Sequence, residues 1–358
     1  MQKILITNNH LHDIKGSELV TLELAELFLS IGWHVTIYTN LYLPPLANEI
    51  NRLPNRENLS VPLNDDESIP TDFDIIWIQQ NTIPSSVAKA LSTTGLNAYI
   101  IWHHMSSFIH IELPILAEIE NQLSDIITVI SQETADRISD FAIDKNKINL
   151  FENPAPDYFS DYPARKISAK KPASLLIVSN HTPPEVIQAI PLLKKNGITV
   201  DLLGENSHVR RITPDILSHY DAILTIGKTV QYAVSMGIPV YEYDHFGGYG
   251  WLNHENFHKS AEKNFSGRAS ATKKKAGEIA DEIINHYIPA RDFIWENKEA
   301  LAGKYKLSTR TSQLLQLLSP TPSLKKLTPQ QALQVITFNE LHRGLYRTIM
   351  YYKSQFKK

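Results

Sequence analysis

The sequence predicts an α/β protein made of two doubly wound domains in tandem. Three observations carry that prediction. Short apolar runs alternate with longer amphipathic segments, the signature of a mostly parallel sheet covered by helices on both faces. A polar, Pro- and Lys-rich stretch interrupts the alternation near residue 160, and the same alternation then restarts. The chain has 358 residues, room for two domains at ~150 residues each.

The elements follow in order. Lys3–Thr7 reads as a buried strand. Gly16–Ile31 reads as a helix, with Leu19, Leu22, Leu24, Ala25, Leu27 and Phe28 at helical spacing and Gly32 at its end. Trp33–Tyr38, Phe73–Ile78, Ala98–Trp102 and Asp125–Ile130 are further strands, and Ser131–Phe141 a helix. Residues 152–173 read as the linker. Ser174–Ser179, Thr199–Leu203, Ala222–Ile226 and Pro239–Tyr243 are the strands of the second domain, with helices at Pro184–Asn196 and Lys228–Met236. Ser319–Ser323, with two prolines, reads as a hinge. Beyond it Phe338, Leu341, Leu345, Ile349, Tyr352 and Phe356 make one apolar stripe of a helix. The expected boundaries are 1–160, 161–318 and a basic amphipathic tail, 319–358.

Composition narrows the function classes. The 42% hydrophobic and 20% charged residues are those of a folded globular chain. The net charge of −3 argues against a globally basic nucleic-acid binder. Residues 323–358 carry seven basic and one acidic side chain, a charge of +6 that leaves −9 on the rest. Cysteine is absent, which excludes disulfides, zinc–thiolate centres, iron–sulfur clusters and cysteine nucleophiles and fits a cytoplasmic setting. Neither a signal-peptide pattern nor an apolar run of ~18 residues is expected.

Loops at the carboxyl ends of the predicted strands hold the candidate residues, because ligands of such sheets bind there. The first loop, Asn8–Ser17, ends in Gly16 at a helix start, where backbone amides can approach an anion. It lacks the Gly-x-Gly-x-x-Gly dinucleotide fingerprint and a Walker loop. The same loop holds His10, His12 and Asp13. Ile226-Gly227-Lys228-Thr229 runs from a strand into a helix and places amides, a hydroxyl and a cation together, an arrangement suited to a diphosphate. In Asp244–Gly250, Gly247, Gly248 and Gly250 would let the backbone approach a ligand, His245 and Tyr249 could hydrogen-bond sugar hydroxyls, and Phe246 could stack. His103 and His104 end a strand. His254-Glu255-Asn256-Phe257-His258 matches the H-E-x-x-H letters, but follows a glycine-rich loop in an α/β domain, so no metal site is expected.

In order and spacing these segments resemble the GT-B fold glycosyltransferases, over about 300 residues of the chain. The matching stretches are Lys3–Asn40 with its Gly32-Trp33-His34-Val35-Thr36-Ile37-Tyr38-Thr39 run, Phe73–Trp77, Trp102-His103-His104, Ser124–Ser131, the Asn149–Pro154 crossover, and Asp221–Val240 ending in Met236-Gly237-Ile238-Pro239-Val240. The resemblance implies two Rossmann-like domains facing a central cleft, plus the helical tail. It implies a hexosyltransferase that moves a sugar from a nucleotide-diphosphate donor, a UDP-sugar first, to a glycan, lipid-linked or protein acceptor. No cofactor and no metal are implied, and bacterial-type surface polysaccharide biosynthesis is the implied setting. Ser179, Asn180, His181, Gly204, Glu205, Gly227, Lys228, Thr229, His245, Phe246, Gly247, Gly248 and, across the first loop, Gly16 are the donor-binding candidates. The resemblance makes Asp13, His12 and His104 the catalytic candidates: Asp13, His12 or His10 lies where inverting members often carry the general base, the proton acceptor.

One departure stands out. Many retaining members carry Glu-x7-Glu around the helix that follows the phosphate loop, and here the two positions are Leu224 and Tyr232. In the family the second Glu commonly holds the ribose of the donor nucleotide, so its absence bears on donor identity and, less strongly, on catalysis. The sequence does not choose between retaining and inverting stereochemistry. The rival readings are a catalytically silent GT-B-like protein that binds a partner glycosyltransferase or a glycan, and a sugar-nucleotide epimerase. The tail, 323–358, is expected to pack on the protein or a second copy, or to lie on an anionic membrane at its cytoplasmic face. No nucleic-acid partner is expected.

Overall fold

The computed structural model describes residues 2–62, 69–204 and 210–356, with side chains to residue 352. The chain forms two compact units. The first comprises residues 1–130, 134–151 and 314–358, and the second residues 131–133 and 152–313.

Seven strands build the first unit: β1 (Lys3–Asn8), β2 (His34–Thr39), β3 (Leu59–Ser60), β4 (Ile75–Gln79), β5 (Tyr99–His104), β6 (Ile126–Val129) and β7 (Ile148–Leu150). All pair in parallel, in the order β3-β2-β1-β4-β5-β6-β7. β1 and β4 are buried almost end to end, as expected for central strands covered on both faces. The strand order reverses direction between β1 and β4, so a crevice opens beyond their carboxyl ends. Helix Gly16–Ser30 follows β1, and Leu22, Leu24, Ala25 and Phe28 bury its inner side.

Five strands build the second unit: β8 (Ser174–Val178), β9 (Thr199–Leu203), β10 (Ala222–Thr225), β11 (Val240–Asp244) and β12 (Gly247–Trp251). Their order is β12-β11-β10-β8-β9, with only β12 antiparallel. Alternate strand residues feed two cores, one on each face. Leu176, Ile223 and Val240 pack with helix Lys228–Ser235, and Leu175, Ile177 and Leu224 pack with helices Pro184–Lys195 and Ala276–Asn285.

Three expectations are corrected here. The first domain gives way to the second at 151/152, because Ala155 and Phe159 pack in the second unit's core. Asp244–Gly250 is not a loop but the tip and return strand of a hairpin, β11–β12. The tail, 319–358, is not separate: it takes one of its expected alternatives and packs on the protein, within the first unit. Lys325 pairs with Leu96 through two backbone hydrogen bonds of 2.8 and 3.0 Å and with Asp125 through its ammonium at 2.6 Å. Helix Pro329–Phe356 then lays Ala332, Val335 and Asn339 on the first unit, leaving Leu333, Leu341, Leu345 and Tyr352 exposed. Among the described residues no helix is long and apolar enough to cross a membrane.

Candidate functional site

The first unit concentrates polar side chains at its strand-order reversal. Asn8 closes β1, and its side-chain amide donates to the Ser17 carbonyl at 3.2 Å and the Thr21 hydroxyl at 3.0 Å, stapling the loop to the helix that follows. The Asn9 amide donates to Gln80 Oε1 at 3.2 Å. Leu11 is buried and bridges Tyr42, with its N–H on the Leu41 carbonyl at 2.7 Å. That extended bridge turns His10 and His12 to the same side, since alternate residues of an extended chain share a face. Glu18, in the first helical turn, is buried, and its Oε1 lies 3.7 Å from His10 Nε2. The three side chains hold ligand-type atoms within 4.8 Å of one another. His12 Nε2 lies 3.4 Å from Asp13, which also pairs with Lys15 at 2.9 Å. Burial pushes the Glu18 carboxyl up to about 7, against the pull of the backbone and Ser17 hydrogen bonds and with a smaller push from Asp13.

Around this loop a second layer fixes positions. Gln80 and Asn81, directly after β4, both hold positive φ, an uncommon conformation for side-chain-bearing residues that clusters at functional sites. Gln80 donates to the Ser17 hydroxyl at 3.1 Å and to Glu112 at 3.2 Å, and Asn81 donates to the carbonyls of Ile111 and Leu113. The C-terminal helix completes the arrangement. Tyr346 stacks on His10 with ring centroids 4.6 Å apart, and Arg343 donates to the Tyr38 hydroxyl at 2.6 Å and to Asn40 at 3.1 Å. Asn339 donates to Tyr38 and accepts from Asn40, which also donates to Asn9. Sequence reasoning passed over Glu18, Gln80, Asn81, Arg343 and Tyr346. The polar triplet Gln79-Gln80-Asn81 closing an apolar strand was a usable signal; nothing in the tail announced Tyr346.

His104 does not join the loop. Both ring nitrogens are spent internally, Nε2 on Glu120 at 2.7 Å and Nδ1 on the Glu112 carbonyl at 2.5 Å. Burial acts to lower its pKa, but the Glu120 carboxylate outweighs that and holds it above the ordinary value. The buried side chain ties β5 to the segments that follow it. Gly16, by contrast, is exposed with open space around its Cα.

In the second unit the expected phosphate loop is rewired. The Gly227 N–H donates to the Phe265 carbonyl at 2.8 Å. Lys228 is buried, its ammonium donates to the Pro154 carbonyl at 2.9 Å, and it lies over the Tyr232 ring. Tyr232 itself stacks flat on Phe159 at 4.3 Å, so an aromatic pair fills the position at which many retaining members carry their second glutamate. Gly247 and Gly248 serve packing: a Cβ would stand 2.3 Å from the Thr272 carbonyl oxygen and 2.0 Å from that of Glu242. At Gly204 a Cβ would meet the Ser179 carbonyl oxygen at 1.8 Å. Ser179, Asn180 and His181 follow β8, and Thr229 stands half-buried in the first turn after β10. His245 and Phe246 form the hairpin tip, with the Arg268 guanidinium 5.4 Å from the Phe246 ring and Asp244 3.3 Å from His245. Glu205 lies outside the described residues. His254 is exposed in a turn that precedes the short helix Phe257–Ala261, of which His258 is the second residue, so the H-E-x-x-H letters do not form one helical face.

No protein-family model and no curated protein matches the sequence. Solved structures do match the fold. HepE from Anabaena, crystallised with UDP, superposes with a TM-score of 0.58 at 11% identity, covering 88% of this chain and 99% of that one. The same protein in complex with UDP-glucose gives 0.57 at 13% identity over the same shares. A glycosyltransferase from Rickettsia africae gives 0.53 at 13% identity, covering 88% and 97%. The chain thus has the GT-B fold of nucleotide-sugar glycosyltransferases.

Proposed function

We propose that the protein is an inverting hexosyltransferase that uses a nucleotide-diphosphate sugar, a UDP-sugar first, and a hydroxyl acceptor of a surface glycan, lipid-linked glycan or protein. The observation that carries this reading is the His12–Asp13 pair on the loop at the strand-order reversal of the first sheet. HepE, which shares the fold, binds UDP and UDP-glucose, and this supports the donor class.

In this reading His12 accepts the proton of the acceptor hydroxyl while that oxygen bonds to C1 of the donor sugar. The C1–O bond to the diphosphate breaks, and the nucleotide diphosphate leaves with the electron pair. Asp13 stabilises the imidazolium that forms, and Glu18 and Tyr346 hold His10 beside it. Attack by an activated hydroxyl opposite the leaving group inverts the anomeric centre. On the second unit Ser179, Asn180, His181, Thr229 and His245 are the donor-binding candidates, with protein donors in place of a divalent ion at the diphosphate. The exposed apolar and basic side of the C-terminal helix is assigned to an anionic membrane at the cytoplasmic face.

The second reading, a catalytically silent binder, draws on Tyr232 and on the internal Lys228. One experiment separates them. Calorimetry with UDP, GDP, ADP, dTDP and CMP is followed by turnover with the matching sugar nucleotides and simple glycoside acceptors. Selective binding of one nucleotide, with turnover that survives EDTA and falls by ~10²–10⁴-fold in His12→Ala, is expected. A folded protein that binds none of the five supports the silent reading.

A further inference from the structure

The loop after β1 gathers two imidazoles and one carboxylate that the sugar-transfer chemistry does not fully account for. His10 and His12 lie on one side of the extended Leu11 bridge, with ring centroids 5.3 Å apart. Glu18 closes the third side, and the three ligand-type atoms fall within 4.8 Å of one another. No other group of three histidine or acidic side chains with this spacing occurs among the described residues. The positions are held before any ion arrives: Leu11 is pinned on both sides by backbone hydrogen bonds, Tyr346 stacks on His10, and Ser17 donates to Glu18 at 2.9 Å. Lys15, the nearby cation, is engaged by Asp13.

We propose that His10, His12 and Glu18 form a divalent transition-metal site, with Zn²⁺ as the preferred ion. The ligand chemistry makes the choice. Two imidazole nitrogens suit Zn²⁺ and its first-row neighbours, whereas Mg²⁺ and Ca²⁺ require oxygen ligands. Two histidines and a glutamate are a three-ligand zinc set that leaves a fourth position for water. A cation there offsets the negative charge of Glu18 and Asp13. The ion also takes the His12 lone pair, so it withdraws that side chain from proton transfer. The regulatory consequence therefore rests on the proposed function, while the binding itself does not.

The test uses the full chain after chelator treatment. Zn²⁺ is titrated against a chromophoric chelator, and Co²⁺ is added separately to read its visible absorption. The expected result is one ion per chain, a Co²⁺ spectrum of a low-symmetry four-coordinate site, and indifference to millimolar Mg²⁺. His10→Ala, His12→Ala and Glu18→Gln, each shown folded by circular dichroism, weaken binding by more than about tenfold, since even outer partners of metal sites contribute that much. Absence of stoichiometric binding overturns the proposal, and so does binding unchanged in all three variants. Binding by a protein that transfers no sugar sustains the site and removes the regulatory consequence. Transfer without Zn²⁺ binding does the reverse.

Discussion

Glu18 and Lys228 show how a single side chain's surroundings decide its task. Glu18 titrates near 7 because it is buried. Below that pH it is neutral, and above it the carboxylate faces His10 at 3.7 Å. In the proposed transferase the ionised form supports the His10–His12 loop, so kcat/KM rises as pH increases through about 7. Glu18→Gln removes that rise while leaving any other limb of the profile, which a pH–rate series on both proteins measures. Lys228 carries the opposite lesson. Its glycine–lysine–threonine context suggests a phosphate ligand, yet its ammonium ends on the Pro154 carbonyl. Lys228→Ala removes the donor to a buried carbonyl and is expected to cost on the order of 1–3 kcal/mol in denaturant unfolding. Nucleotide affinity of the folded variant should change less than tenfold. The sequence revealed a strand–glycine–helix junction but not the direction of the lysine, because Pro154 is distant in sequence and adjacent only in the fold.

At the scale of elements, the C-terminal helix is the clearest case. Sequence periodicity identified an apolar stripe from Phe338 onward and a positive charge, and both are real. The contacts differ from the stripe. Ala332, Val335 and Asn339 face the first unit, while Leu341 is 67% and Leu345 51% exposed. Asn339, Arg343 and Tyr346 instead bring the helix onto β2 and the β1 loop. Deleting 323–358 would strip part of the first unit's core, which includes Leu327 and Val335. Point substitutions on the outer face are therefore the cleaner test of membrane binding. The double variant Leu341→Asp, Leu345→Asp should keep the wild-type melting temperature, because both side chains already meet water. It should sediment less with anionic vesicles, since it loses apolar contact and adds two negative charges beside the basic side chains. Equal sedimentation by both proteins would refute the assignment. The hairpin β11–β12 is the converse case. Its glycines looked like an approach to a ligand, but they are needed where Thr272 and Glu242 press against the backbone.

For the molecule as a whole, the alternation of apolar runs and amphipathic segments determined two doubly wound sheets. It did so because a strand covered on both faces must be apolar throughout, and its crossover helix must be amphipathic. That constraint is local and periodic, so it is legible residue by residue. The loop with His10, His12 and Asp13 was legible for the same reason: it follows the first strand, and ligands of such sheets gather at strand ends. Tertiary structure alone decided the strand order that makes β1 and β4 the reversal point, the division of the chain at 151/152 and 313/314, and the return of Tyr346 to His10. It also decided that His104 and Lys228 point inward. Those outcomes depend on contacts between segments far apart in the chain, fixed by the packing and hydrogen-bonding demands of buried polar groups, and no local pattern encodes them.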